Sequence, residues 1–217
     1  MIGALTDAIT RLADLGGPVV LILAGLSVLA LAVMVYKLWQ FAAAGVGRHA
    51  ALRDAVAAWD AGDRSMARAA LGRSTSYLKP VIGMAMSGQR DAARLEAEAE
   101  TRFARLESGF RFLDTVAQTA PLLGLFGTVL GMISAFQALQ AAGEQVDPSI
   151  LAGGIWVALM TTAVGLAVAM PTALVLSWFE ARMEAERVLA EKAVHTILSP
   201  GGGAKAATVP QGAVAHA

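Results

Sequence analysis

The sequence predicts an all-α membrane protein. It has three transmembrane helices and long cytoplasmic helical extensions, with the N-terminus outside and the C-terminus in the cytoplasm. Three observations carry this. Hydrophobic residues make up 56% of the 217 and charged residues 16%, against about 25% charged in a soluble domain. Three long stretches carry no charge. The basic residues gather in two of the polar segments, and three spans put both on one side.

The first span is Pro18–Tyr36, 19 residues without a charge. Asp114 and Glu144 bracket another 29 uncharged residues, and Asp147 and Glu180 bracket 32. A spanning helix needs about 20 apolar residues, so all three are long enough. A cleaved signal peptide is the competing reading of the first. It wants a positive leader, but Asp7, Arg11 and Asp14 precede the span, Lys37 follows it, and Tyr36, Trp39 and Phe41 form an interfacial aromatic belt. The span reads as a retained anchor.

Lys and Arg set the orientation. Residues 1–17 hold one, 37–114 hold twelve, and the tail beyond Phe179 holds four. Positive loops stay in the cytoplasm. The resulting order is a periplasmic N-terminus (1–15), span 1 (16–38), a cytoplasmic helical domain (39–114), span 2 (115–140), a periplasmic turn (141–149), span 3 (150–179), a cytoplasmic helix (180–198) and a disordered tail (199–217). Such a chain sits in the bacterial inner membrane and contacts lipid.

Within the cytoplasmic domain, Ala50–Ala61 reads as a helix with Leu52, Val56 and Trp59 at helical spacing. Gly62–Asp63 breaks it, Ser65–Leu71 resumes, and Pro80 starts or kinks the next segment. From Asp91 no proline intervenes, so one helix is expected to run unbroken into span 2. The tail lacks the apolar residues to build a core.

Spans 2 and 3 hold the candidate functional residues. Gly124, Gly127 and Gly131 share one face of span 2, and Gly165 lies midway along span 3. Such faces let backbones approach closely in lipid. Thr128, Thr161 and Thr162 put hydroxyls near the middle of both spans, where they can face each other or bond back to their own helix. Pro121 and Pro171 each free a carbonyl and favour a kink. No ionisable residue lies inside these spans, so any proton acceptor at mid-membrane must come from another subunit.

Other chemistries are excluded or disfavoured. Cys is absent, so disulfides and thiolate sites do not arise. His49, His195 and His216 are not spaced as ligands and read as surface residues. No metal site, cofactor or enzyme activity is expected, since Ser177 lacks a triad or nucleophile elbow. Basic residues are interleaved with acids, which argues against nucleic acid as a partner.

TAPLLGLFGTVLGMISAF (119–136) and ALMTTAVGLAVAMP (158–171) resemble the two signature helices of the MotA/TolQ/ExbB proton-channel family. The loop with its GD turn at Gly62–Asp63 fits as well, and the resemblance spans roughly residues 15–195. It is strongest to ExbB-like biopolymer transport members. It implies a homo-oligomer, usually a pentamer, around single-span ExbD-like subunits whose membrane Asp takes up the proton. A TonB-like protein then carries the work to outer-membrane transporters. The family's pore threonines fall on Thr128 and Thr162, and its helix-opening proline on Pro121. One departure is that some members carry a Glu just before the span 3 threonine. Ile155, Trp156 and Val157 stand there, so no role of that Glu is carried over. A TolQ-like role shares the same motifs, and a non-conducting scaffold for partner proteins is the reading from another class. A four-span flagellar stator and a repeat-built solute transporter fit less well.

Overall fold

The structure is a computed structural model that describes residues 2–141 and 148–201. Among the described residues seven α-helices follow in order: α1 Ile2–Ala44, α2 Ala50–Asp60, α3 Arg64–Arg73, α4 Lys79–Met86, α5 Ala92–Glu107, α6 Phe110–Ala141 and α7 Pro148–Leu198. There is no strand among the described residues. Three helices contain segments long and apolar enough to cross a membrane, within Gly17–Ala44, Phe110–Ala141 and Leu151–Leu198. α7 has 51 residues, about 75 Å at 1.5 Å per residue. A hydrocarbon core of about 30 Å takes only part of it. The uncharged run ending at Phe179 is by itself long enough for that part.

The contacts divide the chain into two units, Met1–Leu38 with Ser108–Ala181, and Trp39–Glu107 with Arg182–Ala217. The first unit packs α1, α6 and the apolar half of α7. Its interior includes Val20, Leu23, Leu113, Ala120, Ala158 and Phe179, and the Phe110 and Phe179 rings stack 5.6 Å apart. Its outer faces are just as apolar: Leu122, Leu125, Phe126, Leu159, Met170 and Leu174 are all exposed. So large an exposed apolar surface suits lipid and not water.

α1 begins at Ile2, ahead of the uncharged run that starts at Pro18. One expectation about helix boundaries needs correction: the helix expected to run from Asp91 into span 2 is broken at Ser108–Gly109. Gly109 has φ +93°, a left-handed conformation that ends helices and favours glycine. Lys37 fills the notch. It is 1% exposed, its Nζ donates to Ser108 Oγ at 3.2 Å, and a Cβ on Gly109 would meet its Cε at 3.4 Å. The sequence offers no proline here, and the single glycine was not read as a stop. The expected periplasmic turn falls mostly on residues 142–147 and the expected disordered tail mostly on 202–217, both outside the described residues.

The second unit is a small helical domain. Asp63 caps α3 by accepting from the Met66 amide at 2.8 Å, and Pro80 lies in the first turn of α4. Leu52, Val81, Ile82, Leu95, Phe103 and Met183 are buried. Trp59 Nε1 donates to the Ile197 carbonyl at 3.1 Å, fixing α2 to the end of α7. Arg187 joins α7 to α5 through Glu107 (2.6 Å) and Glu100 (3.0 Å).

A buried polar cluster ties three segments of this unit together, and it corrects the reading of His49 as a surface residue. His49 and Glu186 are each 2% exposed, with His49 Nε2 2.6 Å from Glu186 Oε2. Tyr77 donates to Oε2 at 2.9 Å and the Gly47 amide to Oε1 at 3.0 Å. His49 Nδ1 lies 3.1 Å from Ser76 Oγ. The order Ser–His–Glu is that of a nucleophile relay, but Ser76 is buried and its oxygen accepts from the Leu78 amide at 3.2 Å. The cluster therefore works as a clamp. Burial pushes the Glu186 carboxyl up. The hydrogen bonds and charge of His49, the Tyr77 hydroxyl and Arg182 outweigh this and hold it below the usual carboxylate range. Burial and then Glu186 push the Tyr77 hydroxyl well above its ordinary value, so it stays a donor.

The sign of the pH dependence follows. A carboxyl held low in the folded state stabilises the fold above its ordinary value of about 4.3, and that contribution disappears as pH falls through the lowered value. Glu186→Gln is expected to cost about 2 kcal/mol at neutral pH and to flatten the acid limb of the melting curve of the full chain in detergent. An unchanged acid limb would refute the clamp.

Candidate functional site

The uncharged helices α6 and α7 meet along glycine. A side-chain carbon on Gly124 would sit 2.9 Å from the Thr161 carbonyl oxygen and 3.1 Å from the Thr162 Cα. One on Gly127 would lie 2.7 Å from both Cβ and Oγ1 of Thr161. One on Gly165 would lie 2.6 Å from the Ala120 carbonyl oxygen. One on Gly131 would lie 3.3 Å from the Ala158 Cβ, and one on Gly154 would collide with the Ala135 Cβ. Gly124, Gly127 and Gly131 thus all look toward residues of α7. With only small side chains in the seam, the backbones approach closely enough for dispersion and hydroxyl–carbonyl bonds to hold them in lipid.

The hydroxyls sort differently from their even spacing in the sequence. Thr161 is 1% exposed. Its Oγ1 donates to the Ala158 carbonyl at 2.7 Å and lies 3.2 Å from the Gly124 carbonyl across the seam. Thr162 reaches the same Gly124 oxygen at 3.4 Å. Thr128 is half-buried and bonds back to Leu125 O at 2.6 Å within its own helix. Thus the structure brings Thr161 and Thr162 to one acceptor, and leaves Thr128 on the open side.

Pro121 and Pro171 stand inside continuous helices. Each removes one backbone donor. Beside Pro171, Thr172 is buried and donates to Val168 O at 2.8 Å. Sequence reasoning passed over Thr172, although a hydroxyl directly after a proline in an apolar run was a readable sign. It also passed over burial of Lys37, for which its place at the end of a span gave no hint.

Toward the α1 end of the seam, a cavity of about 460 Å³ is walled by small residues. Gly127, Gly131 and Ala135 come from α6, Gly153 and Gly154 from α7, and Pro18 from α1. No group of His, Cys, Asp or Glu suited to hold a metal occurs among the described residues. The wall of this site consists of hydroxyls, carbonyls and small apolar groups. It can hydrogen-bond a guest but cannot itself take up or release a proton.

The seam yields a paired test. Gly127→Ala must displace Thr161 and should cost about 1–3 kcal/mol as overpacking. Gly153→Ala, where nothing lies within 4 Å, should leave thermal stability in detergent unchanged or slightly raised, since alanine is the better helix former. Equal effects at the two positions would contradict the seam.

With this geometry in place, the chain can be compared with known proteins. Residues 59–192, well over half the chain, match the family model for the MotA/TolQ/ExbB proton channel family. The biopolymer transport protein exbB1 of Vibrio cholerae is 45% identical over 67 residues, 31% of this chain and 29% of that protein. A putative ExbB homolog of Methanothermobacter thermautotrophicus is 35% identical over 121 residues, 54% of this chain and 42% of that protein. The Tol-Pal system protein TolQ of Pseudomonas aeruginosa is 39% identical over 99 residues, 46% of this chain and 42% of that protein. The chain thus spans less than half the length of the curated relatives it matches. An all-helical architecture with three membrane-length apolar segments, a glycine seam carrying hydroxyls, and this match over most of the chain place the protein in the MotA/TolQ/ExbB proton channel family.

Proposed function

We propose that this chain is an ExbB-like subunit of an inner-membrane motor driven by the proton motive force. It works as a homo-oligomer, a pentamer on the family pattern, around single-span ExbD-like subunits. A TonB-like protein passes the work to import across the outer membrane. The N-terminus lies in the periplasm and the charged half of α7 in the cytoplasm, in keeping with the twelve basic residues between positions 37 and 114.

The observation that carries the reading is the make-up of α6 and α7. Neither holds an ionisable residue between Thr115 and Ala141 or between Pro148 and Phe179, yet hydroxyls stand near the middle of both. The site needs a titrating group from outside, and a partner Asp supplies it. A charged carboxylate is costly in hydrocarbon, so protonation is what lets that Asp pass the apolar wall. Thr128, half-buried and turned from the seam, is the hydroxyl best placed to meet it. Thr162 follows, and Thr161 serves mainly the seam. A TolQ-like role in a Tol-Pal system is the second reading, favoured by the 39% identity to TolQ over 99 residues. Copurification of the tagged chain separates the two by the partner retained.

In proteoliposomes holding the chain with its single-span partner, Thr128→Val with Thr162→Val should lower proton flux at least about tenfold, equivalent to about 1.4 kcal/mol at the barrier. Unaltered flux at normal assembly would leave a scaffold as the role. The conservative Thr128→Ser should retain flux.

A further inference from the structure

The second unit carries two grooves, one on each side of α7. The first, about 320 Å³, lies between α5 and α7. Glu96, Glu100, Glu184 and Glu191 line it, with Arg187 the one cation of the lining. That guanidinium is already held by Glu100 and Glu107, and Glu96 Oε1 lies 3.3 Å from His195 Nε2 at the rim, with both side chains about half exposed. Val188 in the same groove is 56% exposed. The second groove, about 520 Å³, lies between α2 and α7. Arg53 and Lys192 stand over Val56 and Leu189 there. Its one carboxylate, Asp60, accepts from the Gly201 amide at 2.6 Å. Among the described residues, Arg53, Lys192, Glu184 and Glu191 make no ion pair within 4 Å.

One chain therefore presents an acidic groove and a basic groove, each with an apolar floor. We propose that the α5/α7 groove of one copy receives the α2/α7 face of the next, with Glu96 and Glu191 opposite Arg53 and Lys192. The charges choose the mode of assembly. Pairing about a two-fold axis would set carboxylates against carboxylates. Two different and complementary patches make a head-to-tail contact, which gives a ring when the rotation from copy to copy closes. Exposed charge pairs are individually weak, so they set register and partner choice, while Val188 and Leu189 supply apolar burial. This inference rests on the homo-oligomer proposed above and names the surfaces that build it.

The chain has no cysteine, so introduced thiols can be read without background. Two full-length chains with different tags, one Arg53→Cys and the other Glu96→Cys, are produced together and purified in detergent with the partner subunit. They are then treated with oxidant or a short bismaleimide. A covalent dimer carrying both tags is expected, and the double variant in one chain should give a ladder of higher species. Light scattering on the unmodified complex reports the copy number separately. A homo-oligomer without the mixed cross-link overturns the inference and leaves the functional reading standing. A single copy per complex overturns the homo-oligomer itself. Cross-linking of Glu96→Cys to a different protein instead of a second copy also overturns the inference.

Discussion

Hydrocarbon offers no hydrogen bonds, and this constraint governs the first unit. Every backbone amide and carbonyl within the bilayer must find its partner inside the protein, which leaves helices as the spanning elements here. Between helices, burial of apolar surface gains little, because lipid is as apolar as leucine. What remains is close approach and the few polar contacts that approach permits. Gly124, Gly127 and Gly165 supply the approach, and the hydroxyls of Thr161 and Thr162 supply the contacts, both reaching the Gly124 oxygen.

The second unit answers to water and uses different means. Its helices are short, capped by Asp63 or opened by Pro80, and joined by side chains far apart in sequence. The Glu186 carboxylate gathers donors from the turn after α1, from the residue preceding α2 and from Tyr77. A buried carboxylate is stable only when so surrounded. Glu186 thereby fixes segments that share no continuous hydrophobic stripe.

Legibility in the sequence followed the range of the interaction. Uncharged length revealed the spans, because that signal accumulates over twenty residues. The glycine face was readable because three- and four-residue steps map directly onto one side of a helix. The stop at Gly109 was not, since a single glycine among good helix formers takes its meaning from Lys37, which packs against it from another helix. His49 was misread for the same reason: its partner Glu186 lies far along the chain, and no spacing rule links them. Of the three hydroxyls, their presence at mid-span was legible. Which one turns into the seam was not, because Thr161 and Thr162 are neighbours and only the position of α6 separates them.

The seam between α6 and α7 also limits what can move. A joint made of backbone against backbone has no long side chains to change rotamer, and a small separation loses its contacts at once. The two helices must therefore turn as one rigid body through this region. Any rearrangement is then expected where this pair of helices meets another surface, not within the pair.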